Sequence, residues 1–408
     1  MNEISTMGKK SRKGTIATFI ALAIIAMFIV GYVVGGSLSS STTTSTSNTI
    51  QEQDNNKSES SSVEEVHNIT YYYNTTSLAN LYDSVKDSVV VITGVISVYS
   101  FFGMQYSTVQ GSGFVYDYNN KNVIITNYHV VDGANNITVT FSNGDAYPAA
   151  VIGSDAYSDL AVITILAPTD EFHPLEISSS SNLKVGDPVV AIGSPFGLGG
   201  TMTSGIISQL GRTIEDSVAG SFPIADIIQT SAPINSGNSG GPLLNYQGEV
   251  IGITTAIISN SNSLGFAIPS NTILREIGSL ADTGSYNQHS WLGISGTDMS
   301  YGIAQAIGVN TTYGWLITQV TTGGAAYAAG LKGGNQQVRV MDQWVIIGGD
   351  IIISVDGTRI VDGDSMMSYL EENTTPHQII QMTIVRNHQL LTIPVELGQR
   401  PVMNSGSS

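Results

Sequence analysis

The chain has 408 residues, 41% of them apolar and only 12% charged, with a formal net charge of −17 and no cysteine. That length holds two or three domains with ample cores. The acidic balance argues against a nucleic-acid partner, whose phosphates call for lysine and arginine, and the lack of cysteine excludes disulfides, thiolate metal sites and a cysteine nucleophile.

A basic stretch, "GKKSRKG", precedes residues 15–34, "TIATFIALAIIAMFIVGYVV", which carry no charge. As a helix this segment is about 30 Å long, the thickness of a bilayer core. A cleaved signal peptide has a shorter apolar stretch, so an uncleaved single-pass anchor is expected. The basic flank, residues 1–14, stays in the cytoplasm, which puts the rest of the chain on the extracytoplasmic side of the cell membrane. Asn56, Asn68, Asn74, Asn136, Asn310 and Asn373 each open an N-x-S/T triplet; on that side the triplets are permitted glycosylation acceptors. Residues 35–66 are rich in Ser, Thr and Asn and read as a disordered tether. "YYYN" at 71–74 is expected to begin packed structure.

Two β-rich segments follow within residues 67–285. "SVVVITGVISVY", "GSGFVYDY", "NVIITNYHVV", "ITVTF", "AAVIG" and "LAVITIL" form the first. "PVVAIGS", "MTSGIIS", "DIIQTSA", "GPLLN", "EVIGITTAI" and "LGFAIP" form the second. Short strands punctuated by Gly, Asn and Ser fit two six-stranded barrels side by side. "SNTILREIGSLADTG" reads as a helix capped by Ser270 or Asn271 and ended by Gly284. A smaller α+β unit occupies residues 286–399, with helix candidates "GGAAYAAGL" and "DSMMSYLEEN", and residues 400–408 form a loose tail.

The stretch "INSGNSGGPL" gathers Gly237, Gly240 and Gly241 around Ser239. A serine hydroxyl attacks a carbonyl only when a base takes its proton, and the resulting oxyanion needs converging backbone N–H groups. Glycines let the N–H groups of Gly237 and Ser239 converge and leave room for a substrate; the plainer alternative is a glycine-rich hairpin. Among the six histidines, His129 in "TNYHVV" closes an apolar strand and enters a helical turn. Asp159, in "SDAYSDLAVITI", precedes another apolar strand and is the candidate to orient the imidazole. Asp132 follows His129 too closely to reach its outer nitrogen, and Asp155 reads as a turn residue. The chain order His-Asp-Ser is that of the chymotrypsin-type arrangement. It puts base and acid in the first barrel and nucleophile in the second. No H-E-x-x-H and no paired histidine set is present, so neither a metal nor a cofactor is expected.

The blocks "GSGFVYD", "VIITNYHVVDGA", "SDLAVI", "KVGDPVVAIGSPFGL", "TSGIIS", "IQTSAPINSGNSGGPLLN" and "GFAIPSN" resemble the HtrA/Deg serine proteases, in order, over about residues 78–280. The unit after them resembles the PDZ domain of that family. The resemblance implies a chymotrypsin-like double barrel with a C-terminal PDZ domain, acting on unfolded or damaged proteins as a homotrimer. It puts His129, Asp159 and Ser239 at the triad positions, with Gly237, Asn238 and Ser239 at the oxyanion hole. In a fold of this type the substrate pocket is lined by Ala232, Pro233 and Ile234 before the nucleophile and by Ile253, Thr254 and Thr255 after it. That set has no acid to pair with a basic side chain and favours small aliphatic residues. Trp291, Leu292, Gly293 and Ile294 stand where a PDZ domain receives a peptide C-terminus. The chain departs from a short PDZ form at about residues 335–349, which read as an added hairpin. Two other readings stay open at this point: a peptide-binding chaperone whose protease is idle at rest, and a dedicated signalling protease with one membrane target.

Overall fold

Among the described residues twelve strands close into two barrels, and the reason lies in how their side chains are shared. The first barrel comprises β1 (Val89–Ser100), β2 (Gly103–Tyr118), β3 (Lys121–Thr126), β4 (Ala134–Thr140), β5 (Ala146–Asp155) and β6 (Leu160–Ile165), in the closed order β1-β2-β3-β6-β5-β4. The second comprises β7 (Pro188–Gly193), β8 (Thr201–Ile214), β9 (Ile224–Thr230), β10 (Pro242–Leu244), β11 (Val250–Thr255) and β12 (Gly265–Pro269), closed as β10-β11-β12-β9-β8-β7. In this computed structural model the residues described are 77–100, 103–194, 200–214, 223–255 and 264–401, all within one compact unit, Tyr73–Ser408. The expected anchor at 15–34, the tether at 35–66 and "YYYN" lie outside them. Among the described residues no helix is long and apolar enough to cross a membrane.

Side chains alternate across a strand, and here both faces are apolar. On β3, Ile124 points into the first barrel, where it meets Ile92, Val115 and Ile163. Its neighbours Val123 and Ile125 point outward into a second core, shared with Val190, Ile192, Leu244 and Ile253 of the other barrel. The second barrel repeats the pattern, with Val189, Ala191, Leu243 and Ile251 inside. Strands covered on both sides read as continuous apolar runs rather than as alternation, which explains sequences such as "VVAIG".

Three helices flank the barrels: α1 (Leu78–Val85), α2 (Tyr128–Val131) and α3 (Ser270–Thr283). The last lays Ile273, Ile277 and Leu280 into the shared core. Its C-terminus is Gly284 at φ +85°, as the sequence leads one to expect. Its N-cap is Pro269, not Ser270 or Asn271; Ser270 is already helical and gives its hydroxyl to the carbonyl of Ser178.

The C-terminal unit is a sheet of β14 (Ile294–Asp298), β15 (Trp315–Val320), β18 (Ile351–Val355), β20 (Ile379–Arg386) and β21 (Gln389–Glu396) in the order β14-β15-β18-β20-β21. The two-residue strand β19 (Thr358–Arg359) hangs on β18, and β13 (Ser290–Trp291) pairs with β22 (Gly398–Gln399). The extra stretch is a separate hairpin, β16 (Gln336–Val340) and β17 (Gln343–Ile347). Helices α4 (Tyr301–Ile307), α5 (Ala325–Ala328) and α6 (Gly363–Asn373) complete the unit. The expected helices correspond to α5 and α6; α4 is too short to show a period in the sequence.

Helix α3 sits on β5 through a backbone-to-backbone contact. A Cβ added at Gly153 would lie 2.0 Å from the carbonyl oxygen of Leu280. Gly153→Ala therefore forces helix and strand apart, with an expected loss of about 1–3 kcal/mol or more in urea unfolding. An unchanged midpoint would mean that this seat is not fixed.

Candidate functional site

The strand β3 ends at Thr126, and the chain turns directly into α2, which carries His129. Three separate bonds bring Asp159 to this corner. Its carbonyl accepts the N–H of Tyr128 at 3.1 Å and the side-chain amide of Asn127 at 3.0 Å. Its Oδ1 accepts the backbone N–H of His129 at 2.9 Å. The ring nitrogen Nδ1 of His129 then lies 2.8 Å from Oδ2 and 3.0 Å from Oδ1. Asp159 is almost wholly buried, while His129 is partly open. From the second barrel, the Thr255 hydroxyl reaches Oδ2 at 3.2 Å. A carboxylate on Nδ1 fixes the imidazole tautomer and stabilises the imidazolium.

Ser239 sits in the loop between β9 and β10 and is buried. The first barrel holds this loop: Ser112 donates its N–H to the Ser239 carbonyl at 2.8 Å and its hydroxyl to the Gly237 carbonyl at 2.6 Å. The second barrel holds it through Thr254, whose hydroxyl reaches the Asn238 carbonyl at 2.7 Å. In a trans peptide the N–H lies opposite the preceding carbonyl. With the Asn238 carbonyl turned towards Thr254, the Ser239 N–H faces away from β11. The N–H of Asn238 goes to the Asn235 carbonyl at 2.9 Å, and Asn238 Oδ1 is buried against Gly193. Of the three expected oxyanion residues, Asn238 thus has its donor committed within the loop.

The glycines have distinct tasks. Gly237 takes φ +96°. A Cβ at Gly240 would meet the Ser112 carbonyl at 2.1 Å, and one at Gly241 the Ile192 carbonyl at 2.2 Å. Two of the three therefore serve contact between loop and barrels. A Cβ at Gly111 would meet both Val130, next to His129, and the Ser239 carbonyl. That shared neighbour places the serine loop against the histidine helix.

The expected pocket residues divide. Pro233 is exposed, while Ile234 packs beside Ala232 at the edge of the second barrel's core. Ile253 points into the core shared by the barrels, and the hydroxyls of Thr254 and Thr255 are taken by the serine loop and Asp159. Thr255 is thus a direct neighbour of Asp159, a contact that its place after the Ser239 loop does not announce.

In the C-terminal unit, residues 291–294 line a groove of about 570 Å³ together with Met367 of α6. Thr213 and Pro223 of the second barrel border the same groove. Gly293 takes φ +73°, turning the chain from β13 into β14, the edge strand of the sheet.

A third group of polar residues was not anticipated. Asp155, at the end of β5, lies 2.7 Å from Nε2 of His289. Glu276 of α3 accepts the Ser158 hydroxyl at 2.7 Å and Arg275 Nη2 at 2.8 Å. Arg275 also pairs with Glu371 of α6 at 2.5 Å, and Nδ1 of His289 is 3.3 Å from that same oxygen, without hydrogen-bond alignment. Arg400 lies 4.0 Å from Glu371, its guanidinium over the Tyr157 ring. Asp155, Glu276 and His289 bring ligand atoms within 4.8 Å of one another. Arg275, Arg400 and His289 face the three acids Asp155, Glu276 and Glu371. The one signal in the sequence was an acid, Glu276, on the apolar face of α3.

Burial works against a charged His289, but the hydrogen bond to Asp155 and the nearby carboxylate of Glu371 outweigh it and lift its pKa to about 10. Burial, then the charge of Asp155, pushes Glu276 up to about 8. Glu371 is pulled down to about 2 because the adjacent His289 and both arginines overcome its burial. Burial, then Glu372, raises Asp226 to about 8.

The chain matches the trypsin-like peptidase domain over residues 111–253 and the PDZ domain over residues 291–397. It is 38% identical to a DegP-like periplasmic serine endoprotease of Hahella chejuensis, over 74% of this chain and 60% of that one. It is 36% identical to the chloroplastic Protease Do-like 1 of Arabidopsis thaliana, over 79% of this chain and 71% of the relative. Among solved structures, the HtrA-type protease AlgW with decapeptide aligns with a TM-score of 0.60 at 29% identity, over 80% of this chain and all of that one.

The pKa shifts give a signed pH dependence. The favourable charge on His289 is complete below its unfolded value of 6.5 and is lost as pH rises towards 10. Glu276, raised from 4.5, disfavours folding increasingly as pH rises towards 8, and Asp226 acts in the same sense. The contribution of Glu371 is present above 4.5 and lost towards pH 2. Between pH 6.5 and 10 the melting temperature should fall by more than about 2–4 °C, the equivalent of about 1 kcal/mol in a unit of this size. His289→Gln should flatten that fall, and an equally steep variant would remove His289 from the account.

Proposed function

Because the chain belongs to the HtrA-type serine endoproteases, we propose that it is a membrane-anchored endopeptidase that cleaves unfolded or damaged proteins outside the cytoplasm. The observation that carries this reading is the 2.8 Å contact between His129 and a buried Asp159, with the Ser239 loop fastened to the same barrel. On this reading Ser239 is the nucleophile, His129 the general base and Asp159 its orienter. His129 Nε2 takes the hydroxyl proton as Ser239 Oγ attacks the scissile carbonyl. The tetrahedral oxyanion is met by the N–H groups of Gly237 and Ser239. Collapse breaks the C–N bond, the imidazolium gives its proton to the leaving amine, and an acyl-enzyme remains. Water then attacks with His129 again as base, releasing the acid and the free serine.

The pocket beside Pro233 and Ile234 is assigned to small aliphatic side chains such as Val, Ala and Ile. The groove at 291–294 is assigned to peptide C-termini, which add as a strand to β14. In the proposed organisation residues 1–14 stay in the cytoplasm, 15–34 cross the membrane and 35–66 tether the protease domain, 67–285, and the PDZ domain, 286–399. The Hahella relative is named periplasmic, and the extracytoplasmic side is proposed here too. Three copies are proposed to assemble, with no nucleic acid and no cofactor.

The test is cleavage of an unfolded protein by the full chain beside Ser239→Ala and Asp159→Asn, with cut sites mapped by mass spectrometry. Wild type should cut after small aliphatic residues, and each variant should lose at least about 10⁴-fold in kcat. Cleavage that survives Ser239→Ala would assign the activity elsewhere. A wild type that binds unfolded chains without cutting them would favour the chaperone reading.

A further inference from the structure

Asp159 takes φ +51°. A side-chain-bearing residue in that region is held there only where its surroundings over-determine it. The barrel side of the turn is fixed by Asn127, Tyr128 and His129. The outer side is fixed by groups outside the triad. Ser158, next to Asp159 in the chain and itself buried, gives its hydroxyl to Glu276 at 2.7 Å. Glu276 is wholly buried, and Arg275 holds the same oxygen. At the start of the turn Asp155 accepts the N–H of Tyr157 at 3.1 Å and is anchored by His289 at 2.7 Å.

We propose that Glu276 is a positioning residue for peptide-bond cleavage: by accepting the Ser158 hydroxyl it fixes the β5–β6 turn and so aims the Asp159 carboxylate at Nδ1 of His129. This rests on the protease reading given above. Burying a carboxyl group on the apolar face of α3 costs stability, and the bond to Ser158 gives that cost a purpose in the reaction. Arg275 carries the brace onward to Glu371 of the C-terminal domain.

The experiment compares the full chain with Ser158→Ala, Glu276→Gln and Glu276→Ala, using a quenched-fluorescence peptide and active-site counting with a fluorophosphonate. Loosening Asp159 weakens its hold on the imidazolium. Ser158→Ala and Glu276→Ala should therefore lower kcat per counted site about tenfold or more, leave KM within about twofold and shift the acid limb of the kcat/KM profile to lower pH. Glu276→Gln keeps a carbonyl oxygen for Ser158 and should retain most of the activity. Fewer counted sites with unchanged kcat per site and an unmoved acid limb would make Glu276 merely structural and overturn the proposal. So would a Ser158→Ala enzyme indistinguishable from wild type, a variant mild enough to fold. A wild type that neither cleaves nor reacts with the fluorophosphonate would instead sink the protease reading itself.

Discussion

The two closed barrels meet where the outward faces of β3, β6, β7 and β11 are apolar. Val123, Ile125 and Val162 of one barrel meet Val190, Ile192 and Ile253 of the other in one buried core. This contact sets everything else. It brings the β3–α2 corner, with His129, against the β9–β10 loop, with Ser239. It also makes both barrels hold that loop, through Ser112 on one side and Thr254 on the other. No single barrel contains the proposed site, and the placing of its residues is inherited from packing rather than from local loop preferences.

Within that frame Asp159 is, beside Ser112, a second point where the two halves are tied by polar bonds. It takes donors from the first barrel at Asn127, Tyr128 and His129 and from the second at Thr255. A buried carboxylate is tolerated when such donors replace its water. The same rule governs the cluster around Asp155, Glu276, His289 and Glu371, where three cationic groups meet three acids. There the compensation comes from two domains, since Glu371 belongs to α6 and Arg275 to α3.

The barrels and the three residues proposed as the triad were legible in the sequence because each leaves a local mark. Doubly buried strands read as unbroken Val and Ile runs, and a nucleophile loop gathers glycines. Gly240 and Gly241 were legible as constrained, but their reason was not: the carbonyls that crowd them belong to residues far away in the chain. Ile253, Thr254 and Thr255 show the same limit. Their place after the nucleophile was readable, whereas the direction of each side chain depends on the register of β11 against β10 and β12. Asp155 and His289 leave no mark of their contact in the sequence. Each looks like an ordinary turn or linker residue, and 134 positions separate them. Only Glu276, an acid spaced among Ile273, Ile277 and Leu280, carried a local anomaly that a reader could have pursued.

The C-terminal sheet differs from the barrels in one topological respect. Closure leaves a barrel no unpaired strand, whereas β14 ends its sheet and keeps one side open. An extended peptide can therefore add by backbone pairing there and at neither barrel. Residues of α6 line one side of the groove, and Thr213 and Pro223 of the second barrel stand at its border. Asp364, at the start of α6, is bound by Arg212 at 2.8 Å and by the Thr213 N–H at 2.9 Å, next to that border. The groove lies between elements of the C-terminal domain and residues of the second barrel. Thr213 and Asp364 thus both line the groove and carry the bond that seats α6 on the second barrel.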